Sequence, residues 1–243
     1  MRWKLISCEI FYREMCAAVA ASPHQVDVEF LPKGLHDLGS ARMLSHLQKA
    51  VDTADPSQYQ AVLLGYGLCG NGLVRLEARA IPLVVPRAHD CITLFLGSKE
   101  RYLDYFNNTP GVYFKTTGWI ERGGGDGTSQ LSFGQPGLQY GDLVEKYGEE
   151  NARYLWEELA HNYRQYTFIE MGIEPDDRFE RQTRELAMQR GWAYEKIPGD
   201  MRLIRALVNG EWNEEDFLLV PPGGRIAARY DEKIVDIERP HDK

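Results

Sequence analysis

The feature that most constrains this chain is a repeated alternation of short apolar runs with longer stretches whose apolar residues follow helical spacing. Consecutive apolar positions fit strands buried on both faces, and the amphipathic stretches between them supply covering helices. The alternation therefore predicts an α/β fold: a mainly parallel open sheet flanked by helices, in three α/β/α layers. Leu5 to Cys8 reads as the end of the first strand, Ile10 to Ala20 as a helix, and Val26 to Leu31 as the second strand. A helix capped near Ser40 runs to about Val51, and Tyr59 to Tyr66 is the third strand, with the central sequence AVLLGY. Ala80 to Val85 and Gly111 to Thr117 are the next two strands, with a mainly helical stretch from Cys91 to Tyr105 between them. Farther on, Leu138 to about Tyr163 reads as one long helix, followed by strands at Thr167 to Met171 and Trp192 to Lys196 around a helix from Asp176 to Arg190. A helix over Asp200 to Val208 and a strand over Phe217 to Val220 complete the pattern, which ends at Pro221, Pro222, Gly223 and Gly224.

With 243 residues, the chain can bury a full core without disulfides or a structural metal. The expected organisation is one α/β domain over residues 1–224, a glycine-rich surface loop at 121–137, and a charged tail at 225–243 that can add an edge strand through Ile234, Val235 and Ile237. Lys and Arg total 28 against 36 for Asp and Glu, a net charge of -8, which argues against a nucleic-acid partner because such a surface needs positive charge to displace counterions. No run is long and apolar enough to span a membrane, and charged residues interrupt the first apolar stretch at Glu9, Arg13 and Glu14, so the expected location is the cytoplasm. Cysteines in that setting are reduced thiols or metal ligands rather than a disulfide framework.

Three of the four cysteines fall just after predicted strands. Cys8 ends the first, Cys69 lies in YGLCGNG after the third, and Cys91 lies in VPRAHDC after the fourth. In an open parallel sheet the carboxyl ends of the strands share one edge, where loops from separate crossovers form a common crevice. Thiolates brought together there suit zinc or an iron–sulfur cluster, and three protein ligands leave one position open. The competing reading makes them small buried apolar residues. Cys16 sits on the apolar face of the first helix and is assigned to packing.

Around these thiols, His89 is a candidate proton carrier, fourth ligand or second-layer hydrogen-bonding residue, Asp90 a candidate acid or helix cap, and Glu9 a candidate base or an ordinary first-turn carboxylate. Arg87 can grip a carboxylate or phosphate with its two-pronged guanidinium, or form an ordinary ion pair. Gly67, Gly70 and Gly72 permit a tight strand exit and close approach of backbone N–H groups to an anion or a cluster sulfur. A further strand exit, Lys115-Thr116-Thr117-Gly118-Trp119, offers Gly118 for backbone contact and Trp119 as a wall of the crevice or a packing residue. The sequence contains no GxSxG elbow, HExxH helix or phosphate-binding loop ending in GKS or GKT.

The blocks YGLCGNG, PRAHDCITLFLGS and PGVYFKTTGW, in that order, closely resemble the uncharacterised domain-of-unknown-function 1638 family, with similarity over roughly Lys4 to Val220. The resemblance places the family's cysteine-containing motifs at Cys69 and Cys91, with Cys8 in the early strand end. Members occur in methanogens and other anaerobes, some encoded near corrinoid-dependent methyltransferases, so the resemblance implies one-carbon or sulfur-compound metabolism and a possible corrinoid-pathway partner. The leading expectation is a metal-thiolate enzyme acting on a small anionic molecule by lyase-like or methyl-transfer chemistry, with zinc or an iron–sulfur cluster undecided. The alternatives are a noncatalytic metal, iron–sulfur or corrinoid-binding accessory protein and a metal-free structural or regulatory domain.

Overall fold

The structure is a computed structural model and describes residues 1–122 and 140–238. The first half runs β1 (Arg2–Cys8), a 3-10 turn (Glu9–Phe11), α1 (Tyr12–Ala21), β2 (Gln25–Leu31), a second 3-10 turn (Lys33–Leu38), α2 (Ser40–Asp52), β3 (Ala61–Gly65), β4 (Leu83–Pro86), α3 (Cys91–Leu96), α4 (Lys99–Asn108), β5 (Val112–Lys115) and α5 (Thr117–Glu121). The second half runs α6 (Tyr140–Tyr147), α7 (Glu149–Ala160), β6 (Gln165–Glu170), α8 (Arg178–Arg190), β7 (Ala193–Pro198), α9 (Arg202–Asn209), β8 (Phe217–Val220), β9 (Ile226–Ala228) and β10 (Val235–Ile237). This is the predicted α/β architecture, divided between two sheets. The larger has the order β2-β1-β3-β4-β8, with its first four strands parallel and β8 antiparallel to β4. The smaller, β5-β6-β7, is parallel throughout.

The strand sequences explain these positions. β3 is AVLLG and buried at every residue, as a central strand must be. In β1 the side chains alternate between faces. Trp3 packs its indole 5.1 Å from Trp212, and Ser7 lies against Gly65 and Met15 of α1, which puts both on the face covered by α1 and α9. Cys8 points to the opposite face, where His36 from the turn after β2 approaches it. One apolar cluster joins the larger sheet to α1, α2, α3 and α9 and takes in Ile169, Met171 and Met201 from the neighbourhood of the smaller sheet. A second cluster of Leu143, Ala152, Trp156, Ala160, Tyr166 and Ala187 lies between the smaller sheet and its helices.

Two helices expected to be continuous are broken at glycines. The stretch after Cys91 stops at Gly97, whose φ of 74° is left-handed, and restarts where Ser98 Oγ accepts the Arg101 N–H at 3.0 Å. The described part of the expected 138–163 helix divides at Gly148, φ 77°, into α6 and α7. In the tail, Val235–Ile237 pairs antiparallel with Ile226–Ala228 instead of adding to an edge of the larger sheet. Of the expected loop at 121–137, Glu121 ends α5 and pairs with Arg13 at 2.7 Å, and residues 123–137 lie outside the described residues. Among the described residues no helix is long and apolar enough to cross a membrane.

Candidate functional site

β1, β3 and β4 are adjacent and parallel, so the chain leaves all three at one edge of the sheet. Cys8 is the last residue of β1, Cys69 follows β3, and Cys91 is the first residue of α3 after β4. The two later loops are laced together by their backbones: the Leu68 N–H donates to the Ala88 carbonyl at 2.8 Å and the Cys69 N–H to the His89 carbonyl at 2.9 Å. A Cβ on Gly67 would stand 2.7 Å from the Asp90 backbone, so this crossing requires glycine. Cys69, Gly70 and Asn71 then turn through consecutive left-handed conformations, with φ of 47°, 62° and 69°. Two of the three are not glycine, a concentration of backbone strain beside the thiols.

The three thiols occupy one region. Cys91 lies in the electrostatic field of both Cys69 and Cys8, and Cys69 in that of Cys8. Burial dominates each titration: it raises Cys8 to about 12 and also pushes Cys69 and Cys91 well up, with Asp90 adding to the rise at both. Smaller effects of the neighbouring backbone at Cys8 and Cys69 and of Trp119 at Cys91 oppose burial without outweighing it, so all three groups are held as thiols.

Thiols are the donor type that zinc or an iron–sulfur cluster takes. Among the described residues, however, no three His, Cys, Asp or Glu side chains are grouped so as to hold a metal ion.

Other expected site residues have different partners. The Arg87 guanidinium is buried and donates to the carbonyls of Glu214 (2.9 Å), Lys233 (2.9 Å) and Val235, tying the β9–β10 region to the end of β4. Its Nε and Nη1 donors are engaged by these carbonyls. Asp90 caps α3, accepting from the Ile92 N–H at 2.9 Å and the Thr93 N–H at 3.4 Å, and also accepts from the Tyr102 hydroxyl at 3.0 Å. The His89 ring stacks on Tyr102 at 5.6 Å, while its carbonyl rather than its imidazole meets Cys69. Glu9 accepts the Lys33 backbone N–H at 2.8 Å. Gly72 gives room to Met43, Gly70 faces open space, and Gly118 is forced by the carbonyl of Ile10. Cys16 is half-buried near Arg122 and Glu14, apart from the other thiols.

Three residues without a role in the sequence reading border the thiols. His36 Nε2 is 3.9 Å from the Cys8 sulfur, and burial lowers its pKa. Among the described residues the buried Tyr66 hydroxyl has no hydrogen-bond partner; its ring lies 6.5 Å from that of His36, and it sits in the field of Cys8 and Cys69. Lys33 Nζ stands 4.6 Å over the Trp119 ring. Lys33 and His36 follow β2 in LPKGLHDL, so the strand-edge argument that selects the cysteines applies equally to them.

No curated protein and no solved structure matches the chain. The model of a family described as a protein of unknown function (DUF1638) matches residues 30–208, a span that contains Cys69 and Cys91 and begins after Cys8. With most of its length inside that match, the chain belongs to the DUF1638 family.

Proposed function

We propose that this protein is a metal-thiolate enzyme in which Cys8, Cys69 and Cys91 hold an iron–sulfur cluster and a small anionic molecule binds at the position left open. What supports this reading is that Cys8, Cys69 and Cys91 follow three adjacent parallel strands at one edge of the sheet, with Cys91 in the field of the other two thiols. When bound, such a cluster supplies a Lewis-acidic iron without a protein ligand.

The surrounding residues then divide the remaining work. The Trp119 side chain neighbours Cys91. His36, whose pKa burial lowers, is neutral at pH 7 and can accept a proton beside Cys8. The unpartnered Tyr66 hydroxyl can donate a hydrogen bond to a molecule in the pocket, which relieves the cost of burying it alone. A proton acceptor and a hydrogen-bond donor beside one anion suit lyase-like elimination.

Anaerobic reconstitution with ferrous iron and sulfide, followed by electron paramagnetic resonance of the reduced protein, tests this reading. The wild type and Cys16→Ala should develop the same cluster signal, and the Cys8/Cys69/Cys91 triple alanine variant should not. Equal signals from the triple variant would refute the ligand assignment. Uptake of zinc without any sulfide would replace the cluster with a zinc-thiolate centre.

A further inference from the structure

Beyond Cys69 the loop runs through Asn71 to Arg75, and both residues hold left-handed backbone, each with a φ of 69°. Glycine adopts that conformation without strain, asparagine at a small cost and arginine at a larger one. The turn at Arg75 is fixed where its N–H donates to the Ile226 carbonyl of β9 at 2.7 Å. The backbone there favours glycine, yet the chain places a long cationic side chain at the position, so the side chain rather than the turn accounts for the residue.

Arg75 borders two cavities. One, of about 340 Å³, is lined by Arg75 and by one face of α2, including Leu44, Ser45 and Lys49. The other, of about 280 Å³, is lined by Arg75 and Asn71 and, from β9 and the turn after it, by Ile226, Ala228 and Tyr230. Tyr230 is fully exposed, an aromatic ring that the protein's own packing does not use. Arg75 thus lies where a cavity against a helix meets a cavity against a hairpin, and one small molecule can reach both.

Charge assigns the two cavities different roles. Asp52 also lines the first, where it accepts from Arg79 at 2.7 Å and from Gln48 at 2.9 Å, and Arg79 is held further by Glu77. Arg75 and Lys49 have no ion pair among the described residues, and the Ser45 hydroxyl has no hydrogen-bond partner among them. A guanidinium fork, an ammonium and a hydroxyl on one cavity match the oxygens of a phosphate. Glu238 lines the second cavity and disfavours an anion there, whereas Val74, Ile226, Ala228 and the Tyr230 ring suit a flat uncharged group.

We propose that Arg75 and Lys49 bind the phosphate of a small organic phosphate ester, whose ring lies past Arg75 in the second cavity against Tyr230. The site is built from α2, the Arg75 turn and the C-terminal hairpin, and it uses none of the three thiols. It therefore stands or fails independently of the cluster reading.

Isothermal titration of adenosine monophosphate, inorganic phosphate and adenosine, each separately into the full chain, tests the proposal. Adenosine monophosphate should bind saturably and more tightly than either of its parts. Arg75→Gly and Lys49→Met should each weaken that binding roughly tenfold, the loss of one charge-assisted contact. Arg75→Gly should leave the melting temperature unchanged or raise it, because glycine fits the left-handed turn. Tyr230→Ala should bring adenosine monophosphate down to the affinity of inorganic phosphate and leave phosphate itself unaffected. Absence of saturable binding by both phosphate probes would overturn the site, as would unchanged affinity in Arg75→Gly and Lys49→Met. A lower melting temperature of Arg75→Gly with unchanged affinity would assign Arg75 to packing instead, and equal binding of adenosine monophosphate and phosphate to the wild type would overturn the ring's place against Tyr230.

Discussion

Replacing Glu14 with glutamine should remove a specific pH dependence from the protein's stability. Glu14 lies on α1 three residues after Phe11, on the face that also buries Met15 and Ala18. It is 1 % exposed, and among the described residues neither carboxylate oxygen has a hydrogen-bond partner. Burial, helped by the Glu174 carboxylate, raises its pKa from 4.5 to about 7. Between those values the folded state holds a proton that the unfolded chain has released, so this residue's contribution to stability falls as pH rises from about 4.5 to about 7 and is then constant. The full shift corresponds to about 3 kcal/mol at ~1.4 kcal/mol per pH unit. Urea unfolding of wild type and Glu14→Gln at several pH values measures it. The variant's stability relative to wild type should improve by about 2.5 kcal/mol between about pH 5 and about pH 8. Other titrating groups are common to both proteins and cancel in the difference. Parallel stability curves would refute the reasoning, because they would mean that Glu14 is solvated or paired in the folded protein.

Two further substitutions separate structural from functional roles. Gly67→Ala drives a Cβ into the Asp90 backbone and should cost about 1–3 kcal/mol in chemical denaturation while reducing cluster incorporation, because the loops carrying Cys69 and Cys91 must separate; unchanged stability would mean that the loops are not held together there. Arg87→Met strands the Glu214, Lys233 and Val235 carbonyls and should cost about 3 kcal/mol in urea unfolding, with faster proteolysis of the C-terminal hairpin; unchanged stability would mean that these contacts do not hold the hairpin to β4.

The legible part of this molecule was what local pattern controls. The consecutive apolar residues of Ala61–Gly65 could fit only a covered strand, and the positions of Cys8, Cys69 and Cys91 after successive parallel strands implied that they share an edge. Strand direction and sheet membership are set by partners distant in sequence. Phe217–Val220 is as apolar as β3, yet it runs antiparallel to β4, and Val112–Lys115 heads a separate sheet. The helix breaks had a visible signal in Gly97 and Gly148, but only their left-handed φ distinguishes them from glycines tolerated within a helix.

Side-chain aim was the least legible feature. Arg87 and Cys91 are four residues apart, yet Arg87 reaches residues beyond 210 whose position no local pattern reveals. Asp90 and Glu9 satisfy backbone amides, the role that short spacing favours for carboxylates at helix starts and turns.

The central claim is that three thiols from three strand exits bind one cofactor, and iron and acid-labile sulfide in protein purified without oxygen measure this most directly. The account predicts iron and sulfide in near-equal amounts in the wild type, both sharply reduced by alanine at Cys8, Cys69 or Cys91 and unaffected by alanine at Cys16. Protein that carries neither element, or keeps both after all three substitutions, would contradict it.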